Sequence, residues 1–210
     1  RHILAQIVLR HADSVRVASR RIKDQVERIG VRSPVRVLPV FVDLSRFRSL
    51  PRIPHAGKNI LWIGRFEAEK NPAEAIRILQ RVLKVVLDAR LTMLGEGGMK
   101  ATLTARGRGL PVTFSDGWQD PAAYLPTADV VLSTSHLESW GASIVEALAA
   151  GVPVVAPDVG VAKEAGAITV PREELAGAVV TALQAGGRGE LRLPVLDSAE
   201  WAKHWRESLI

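Results

Sequence analysis

Two carboxylates, two cations and the start of one helix hold most of the chemistry this sequence can offer. Residues 135–153 read Ser-His-Leu-Glu-Ser-Trp-Gly-Ala-Ser-Ile-Val-Glu-Ala-Leu-Ala-Ala-Gly-Val-Pro. The pattern opens a helix near Gly141 and closes it with Gly151 and Pro153. Glu146 is the single charged residue inside it. A carboxylate among Ile144, Val145, Leu148 and Ala149 needs a partner that offsets its desolvation. The paired hydroxyls of a ribose would serve, since one carboxylate can accept from both. An internal salt bridge to a Lys or Arg would serve as well. Glu138 precedes the helix and can face the same crevice, and the free amides of Gly141, Ala142 and Ser143 form a first turn that favours phosphate.

The cations stand in Ile60-Leu61-Trp62-Ile63-Gly64-Arg65 and Glu69-Lys70-Asn71-Pro72. A buried strand runs into Gly64, where the backbone can turn tightly, and leaves Arg65 at its carboxyl edge. Asn71 as N-cap, Pro72 as first helical residue and Glu74 two residues later predict a capped helix start just after Lys70. Arg65 and Lys70 on one rim suit a diphosphate. On these residues alone, a pair of surface cations beside Glu67 and Glu69 is the favoured explanation. Leu94-Gly95-Glu96-Gly97-Gly98 also follows a strand, allowing either close backbone approach to a ligand or a plain tight turn. The five histidines (His2, His11, His55, His136, His204) lack metal-ligand spacing, so no metal is expected. His136 alone is near the crevice, as a loop residue. No Gly-x-Ser-x-Gly elbow marks a serine nucleophile.

The elements that must position these residues alternate regularly. Strands are expected at 59–63, 90–94, 112–114, 129–133, 153–156 and 167–170, with helices at 72–86, 98–106, 121–125, 141–150 and 173–184. Strands apolar throughout indicate an α/β, Rossmann-like parallel sheet with helices on both faces, which binds ligands at the carboxyl ends of its strands. Ahead of it, a strand at 14–18, a helix at 19–29 and a strand from Val35 to Leu38 read as a separate βαβ piece. Pro39, Pro51 and Pro54 break the pattern, which sets a boundary near residue 57. Residues 198–209 read as a closing amphipathic helix whose Trp201 and Trp205 serve packing.

With 47% hydrophobic residues in 210, the chain can bury an ordinary core, which excludes a disordered polypeptide. The absence of cysteine excludes a disulfide framework and fits a reducing cytoplasm. No apolar run reaches the ~20 residues of a spanning helix. The chain opens inside a helical pattern without Met, so a truncated start is expected. The net charge of +6 is uneven: residues 1–58 carry thirteen Lys and Arg against four acids, the rest fifteen against eighteen. That basic quarter offers peripheral contact with an anionic membrane, or simply a solvated face in which Asp24 and Glu27 interleave with the cations. Few aromatics stand beside it and no nucleic-acid motif occurs, so no nucleic-acid partner is expected.

In order and spacing, Gly64-Arg65 with Lys70, Gly95-Glu96-Gly97, Glu138 and Glu146 separated by seven residues, and Gly151-Val152-Pro153-Val154-Val155 resemble glycosyltransferase family 4. The resemblance implies a GT-B fold, with residues 1–57 the end of the acceptor domain and its linker, 58–197 the nucleotide-sugar donor domain and 198–210 its closing helix. It implies retaining transfer of a sugar from a nucleotide-sugar donor to a glycan, lipid-linked or small-molecule acceptor, without cofactor or metal, in the cytoplasm or at the inner membrane face. By the same resemblance Arg65 and Lys70 bind the donor diphosphate, Glu138 lies at the donor sugar, and these three form the catalytic group. Glu146 holds the ribose, and the loop 116–120, with Gly117 and Trp118, flanks the base. A GT-B nucleotide-sugar epimerase or a noncatalytic nucleotide-binding module remains an alternative. Where the family often has Asp-x-Gly-Gly-x-Pro-Glu, this chain has Asp158-Val159-Gly160-Val161-Ala162-Lys163-Glu164, and its segment from Gly166 to Glu174 is short.

Overall fold

The computed structural model describes residues 7–208 of the chain, so His2 and Leu209 lie outside the described residues. Two compact units form, residues 1–43 with 194–210, and residues 44–193.

In the first unit, β1 (Val15–Val17) and β2 (Val35–Val37) pair in parallel, joined by α1 (Arg20–Arg28). Ser19 caps α1 by accepting from the Ile22 amide, and Val15, Val17 and Val26 close a small core. The unit's later helix (Ser198–Glu207) opens with a capping box between Asp197 and Glu200. Its tryptophans do pack: the Trp201 indole N–H donates to the Pro39 carbonyl at 2.7 Å, its ring lies 5.8 Å from Phe41, and Arg16 covers the Trp205 ring at 4.9 Å.

The second unit begins with α2 (Ser45–Arg48), an element absent from the sequence reading. Prolines around it hide a single helical turn whose Phe47 is fully buried. The next residues are strapped to the same unit: the Ile53 amide donates to the Pro126 carbonyl at 2.9 Å, and Arg52 donates to the carbonyls of Leu125 and Ala128. Compactness thus divides the chain at 43/44 and 193/194, whereas the sequence reading set its divisions at 57/58 and 197/198.

After this segment come β3 (Lys58–Ile63), α3 (Pro72–Val82), β4 (Ala89–Leu94), α4 (Lys100–Arg106) and β5 (Val112–Phe114). They are followed by β6 (Val130–Leu132), α5 (Ala142–Ala149), β7 (Val154–Ala156), α6 (Ala162–Ala165), β8 (Ile168–Thr169) and α7 (Leu175–Ala185), with the helix at Ser198–Glu207 of the first unit becoming α8. The sheet runs β5-β4-β3-β6-β7-β8 with every pairing parallel, the α/β Rossmann-like layout expected from the alternation. Strand order reverses between β3 and β6, and such a switch point opens a crevice at the carboxyl ends of both.

Alternate strand residues divide the core between the two faces. Ile60, Trp62, Leu91, Met93, Val130, Leu132 and Val155 pack with buried residues of α3, α4 and α7. Leu61, Val131 and Val154, also buried, point to the other face, where α5 buries Ile144, Val145 and Leu148.

Two local expectations need correction. Helix α3 stops at Val82 and continues to Val86 only as hydrogen-bonded turns. Asn71 does stand at the helix start, but in the left-handed region (φ 50°, ψ 49°) with no side-chain cap. Its N–H is already given to the Ala68 carbonyl, closing the 3-10 turn Ala68–Lys70, so nothing remains for Glu74 to accept; Glu74 pairs with Arg77 instead. The junction is held from β6, where the buried Thr134 hydroxyl lies 3.0 Å from the Lys70 carbonyl and 2.9 Å from that of Asn71.

Candidate functional site

A cleft of about 250 Å³ opens at the switch point, lined by Ile63, Gly64, Arg65, Lys70, Trp118, Glu138, Gly141, Ala142, Ser143 and Glu146. Every donor-site residue expected from sequence lines it except Gly95 and Gly117.

Gly95 has a different reason to be glycine. Its φ is +149°, and a Cβ there would meet the Gly64 carbonyl oxygen at 1.9 Å. The close approach that requires glycine here is between the ends of β3 and β4. Gly117 (φ +67°) shapes the loop after β5, where the Ser115 hydroxyl donates to its carbonyl at 2.9 Å. Its neighbour Trp118 reaches the rim with 54% of its surface exposed.

The two cations sit in unlike surroundings. Arg65, at the end of β3, is exposed and ion-paired with Glu69 four residues on. Such surface pairs contribute ~0–1 kcal/mol, so a ligand anion can replace the carboxylate at little cost. Lys70 is half-buried, with its Nζ 2.5 Å from Glu138 Oε1. Glu67 does not compete for either cation, because its carboxylate accepts from the Gly98 amide at 3.0 Å. The surface-pair reading thus describes Arg65 alone.

Glu138 is fixed on three sides. Lys70 pairs with it, and the Ser135 hydroxyl donates to the same oxygen at 2.8 Å. Gly160, φ +53°, lies so close that a Cβ would stand 2.8 Å from Glu138 Cβ and 2.3 Å from the Trp140 carbonyl oxygen. The Val161 amide donates to that carbonyl at 2.9 Å. The departure from the Asp-x-Gly-Gly pattern thus keeps the glycine that the crossing needs, while Val161 (φ −102°) is buried at the start of α6. His136 gives its amide to the Glu69 carbonyl at 2.8 Å but does not line the cleft.

Helix α5 starts on Gly141 (φ 104°, ψ 58°) with no side-chain cap. Among the described residues, no protein acceptor takes the amides of Ala142 and Ser143, which line the cleft. Unpaired N–H groups and the helix dipole together favour an anion there. Glu146 stands one turn further on, half-buried and without an ion pair or hydrogen bond among the described residues. Burial pushes its carboxyl pKa above 4.5; the Arg46 charge opposes that shift and Asp120 adds to it. Arg46 is occupied elsewhere, forking both Asp120 oxygens at 2.9 and 3.0 Å. Among the described residues, the internal salt bridge that would explain Glu146 without a ligand is not formed.

Two supporting residues escaped the sequence reading. Thr134 accepts from the Trp62 indole N–H at 2.9 Å as it bridges to the Lys70 junction, and a buried threonine ending an apolar strand is a signal that could have marked it. Arg172 donates to the carbonyls of Thr134 and Ser135 at 3.0 and 2.6 Å. No sequence pattern marks it, because its partners are backbone groups nearly forty positions away. Among the described residues, no group of three or more His, Cys, Asp or Glu could hold a metal, and no helix is long and apolar enough to cross a membrane.

Comparison with known proteins bears on the same region. Two curated Mycobacterium tuberculosis proteins are similar to it. One is a GDP-mannose-dependent alpha-(1-6)-phosphatidylinositol dimannoside mannosyltransferase, 31% identical over 144 residues, which are 63% of this chain and 38% of that protein. The other is a glycogen synthase, 30% identical over 169 residues, covering 76% of this chain and 41% of that protein. The chain thus spans about two fifths of the length of these relatives. Among solved structures, S. aureus TarM superposes with a TM-score of 0.76 at 20% identity, over 100% of this chain and 42% of that one. Anabaena HepE, solved with UDP and glucose, gives 0.70 at 17% identity, over 99% and 66%. At these identities the superpositions establish the GT-B-type fold. The family model described as glycosyl transferases group 1 matches residues 57–185, which include every cleft-lining residue. With that match over more than half of its length, the chain belongs to the group 1 glycosyl transferases.

Proposed function

We propose that this chain forms the donor half of a glycosyltransferase that moves a sugar from a nucleotide-sugar to a glycan, lipid-linked or small-molecule acceptor with retention of configuration. One observation carries the reading: an unpaired, half-buried Glu146 stands one turn inside an uncapped helix start, across a cleft from Lys70 and Arg65. A nucleoside diphosphate satisfies each part. Its ribose hydroxyls donate to Glu146, its phosphates meet the α5 amides and both cations, and its base lies toward Trp118. Glu138 then meets the sugar.

As the glycosidic bond breaks, negative charge grows on the departing diphosphate. Once the diphosphate has displaced their carboxylate partners, Lys70 and Arg65 stand beside it with the α5 amides, and the bound site needs no further reorganisation in the transition state. No metal is required for that task. The acceptor site, the cytoplasmic setting and peripheral attachment to an anionic membrane through the basic N-terminal quarter are further parts of the proposal. Binding of the intact protein to anionic liposomes at low salt tests the last of these.

Calorimetric titration of the protein with UDP, GDP and ADP tests the donor site. Binding of one nucleotide, weakened in both Lys70→Ala and Glu146→Gln, is the expected result. Folded full-length protein that takes up none of the three would end this reading.

A further inference from the structure

We infer that Arg172 is a positioning residue for the sugar end of the cleft, holding the loop that presents Glu138; this rests on the donor-site reading above. The geometry begins at the sheet edge. Beyond β8 the Val170 amide donates to the Ala156 carbonyl at 3.2 Å, and Pro171 (φ −53°) turns the chain into a 3-10 turn, Arg172–Glu174. That turn is anchored twice. The Glu174 amide returns to the Pro171 carbonyl at 3.0 Å, and Arg81 of α3 donates to the Glu173 carbonyl at 3.1 Å.

From this base the half-buried Arg172 guanidinium reaches the end of β6, with Nη1 to the Thr134 carbonyl (3.0 Å) and Nη2 to that of Ser135 (2.6 Å). Both carbonyls belong to residues already engaged at the site: the Thr134 side chain holds the Lys70 junction, and that of Ser135 holds Glu138. A single planar fork therefore fixes two successive peptide groups. The Glu138 carboxylate hangs from them and meets Lys70. Lysine cannot reproduce this, because its ammonium is one point of charge while guanidinium presents parallel N–H groups in a rigid plane. Arg172 does not line the cleft, so any effect on the reaction must pass through the loop.

A residue that acts through the Glu138 loop should alter turnover far more than nucleotide binding. In the full-length protein, Arg172→Gln should lower kcat about 10- to 100-fold, the scale of a small misplacement of a reacting group. KM for the donor, and Kd for whichever of UDP, GDP or ADP binds, should change much less than kcat, because Glu146, Arg65 and the α5 amides are untouched and Lys70 is affected only through its pairing with Glu138. Arg172→Lys should fall between wild type and Gln. In ligand-free protein, hydrogen exchange of residues 135–141 should accelerate in Arg172→Gln while the rest of the sheet is unchanged. Combined with Ser135→Ala, the loss in kcat should be less than the product of the two single losses, since both act on one loop.

Unchanged exchange in the loop, or a parallel fall of kcat, affinity and Tm, would overturn the inference; the second result would make Arg172 a structural tie only. Wild-type protein that binds none of the three nucleotides overturns the donor reading and this inference with it. Wild type that binds and transfers, beside a variant whose loop exchanges normally, overturns the inference alone.

Discussion

Glu138 and Glu146 are the same residue type, seven residues intervene between them, and both face one cleft, yet the protein treats them in opposite ways. Glu138 sits in a loop and is held at one carboxylate oxygen by Lys70 and Ser135, on a backbone held by Arg172 and crowded by Gly160. Glu146 sits on a regular helix and has nothing among the described residues to bond with. A loop has no rigidity of its own, so side chains from several elements must supply it. A helix supplies rigidity through its backbone, and its side chain can be left waiting for a ligand. On the proposed donor-site reading, the first carboxylate is preorganised by protein contacts and the second by being denied them.

If the engaged carboxylate and its partner serve the reaction, the largest losses come from breaking that pair. Lys70→Ala in the full-length protein should lower turnover ~10²–10³-fold, the usual cost of removing one preorganised charge donor from a developing anion. Steady-state kinetics with the donor nucleotide-sugar checks it, and near-wild-type turnover would take Lys70 out of the mechanism. Glu138→Gln should also lower turnover steeply, yet tighten binding of the bare nucleoside diphosphate, since it releases Lys70 from its counter-ion. Equal weakening of both would mean that the pair shapes the cleft rather than competing with the ligand.

On the other side of the comparison, Glu146→Gln should weaken nucleotide affinity about 10- to 100-fold, as expected for hydrogen bonds to a charged acceptor. Titration calorimetry reads this directly. Stability should move the other way. Burial raises the Glu146 pKa in the folded protein, so the ionised carboxylate disfavours the fold at neutral pH, and this penalty lifts as pH falls through the raised pKa toward 4.5. Glu146→Gln should therefore melt no lower than wild type at pH 7, and the difference should shrink on acidification. Nucleotide binding to wild type, which needs the ionised form, should weaken over that same acid range, while binding to Glu146→Gln should lack this component.

The smallest effect is expected at Arg46, whose charge lowers the Glu146 pKa from within its pairing with Asp120. Arg46→Ala should move the pH dependence of nucleotide binding upward, with little change at pH 8. A marked loss of affinity at pH 8 would instead show that Arg46 contacts the ligand itself.

The strand-and-helix alternation was legible because each strand is a short apolar run between turn signals, and because Gly64, Gly141 and Gly151 mark where the chain must turn. The cleft residues were legible for a related reason: they cluster at strand ends, where residue type and spacing survive in the sequence. What could not be read are bonds between a side chain and a distant backbone. Thr134 to the Lys70 junction, Arg172 to the β6 carbonyls and Arg52 to the turn before β6 depend on partners of no particular residue type. Asn71 shows the converse. Its residue type identified the helix start correctly, but the preceding 3-10 turn had already consumed the N–H that the expected cap needed.

The crossing of β3 and β4 at Gly64 and Gly95 has a consequence for how donor preference can change. With the Gly64 carbonyl 1.9 Å from where a Gly95 Cβ would stand, the strand ends meet with room for hydrogen atoms only. Gly95 cannot accept even one added methyl group, so on the proposed donor-site reading variation in ligand choice falls to Trp118, Arg65, Ala142 and Ser143, which line the cleft. A library aimed at a new sugar-nucleotide would find its tolerant positions there, and its dead ends at the glycines.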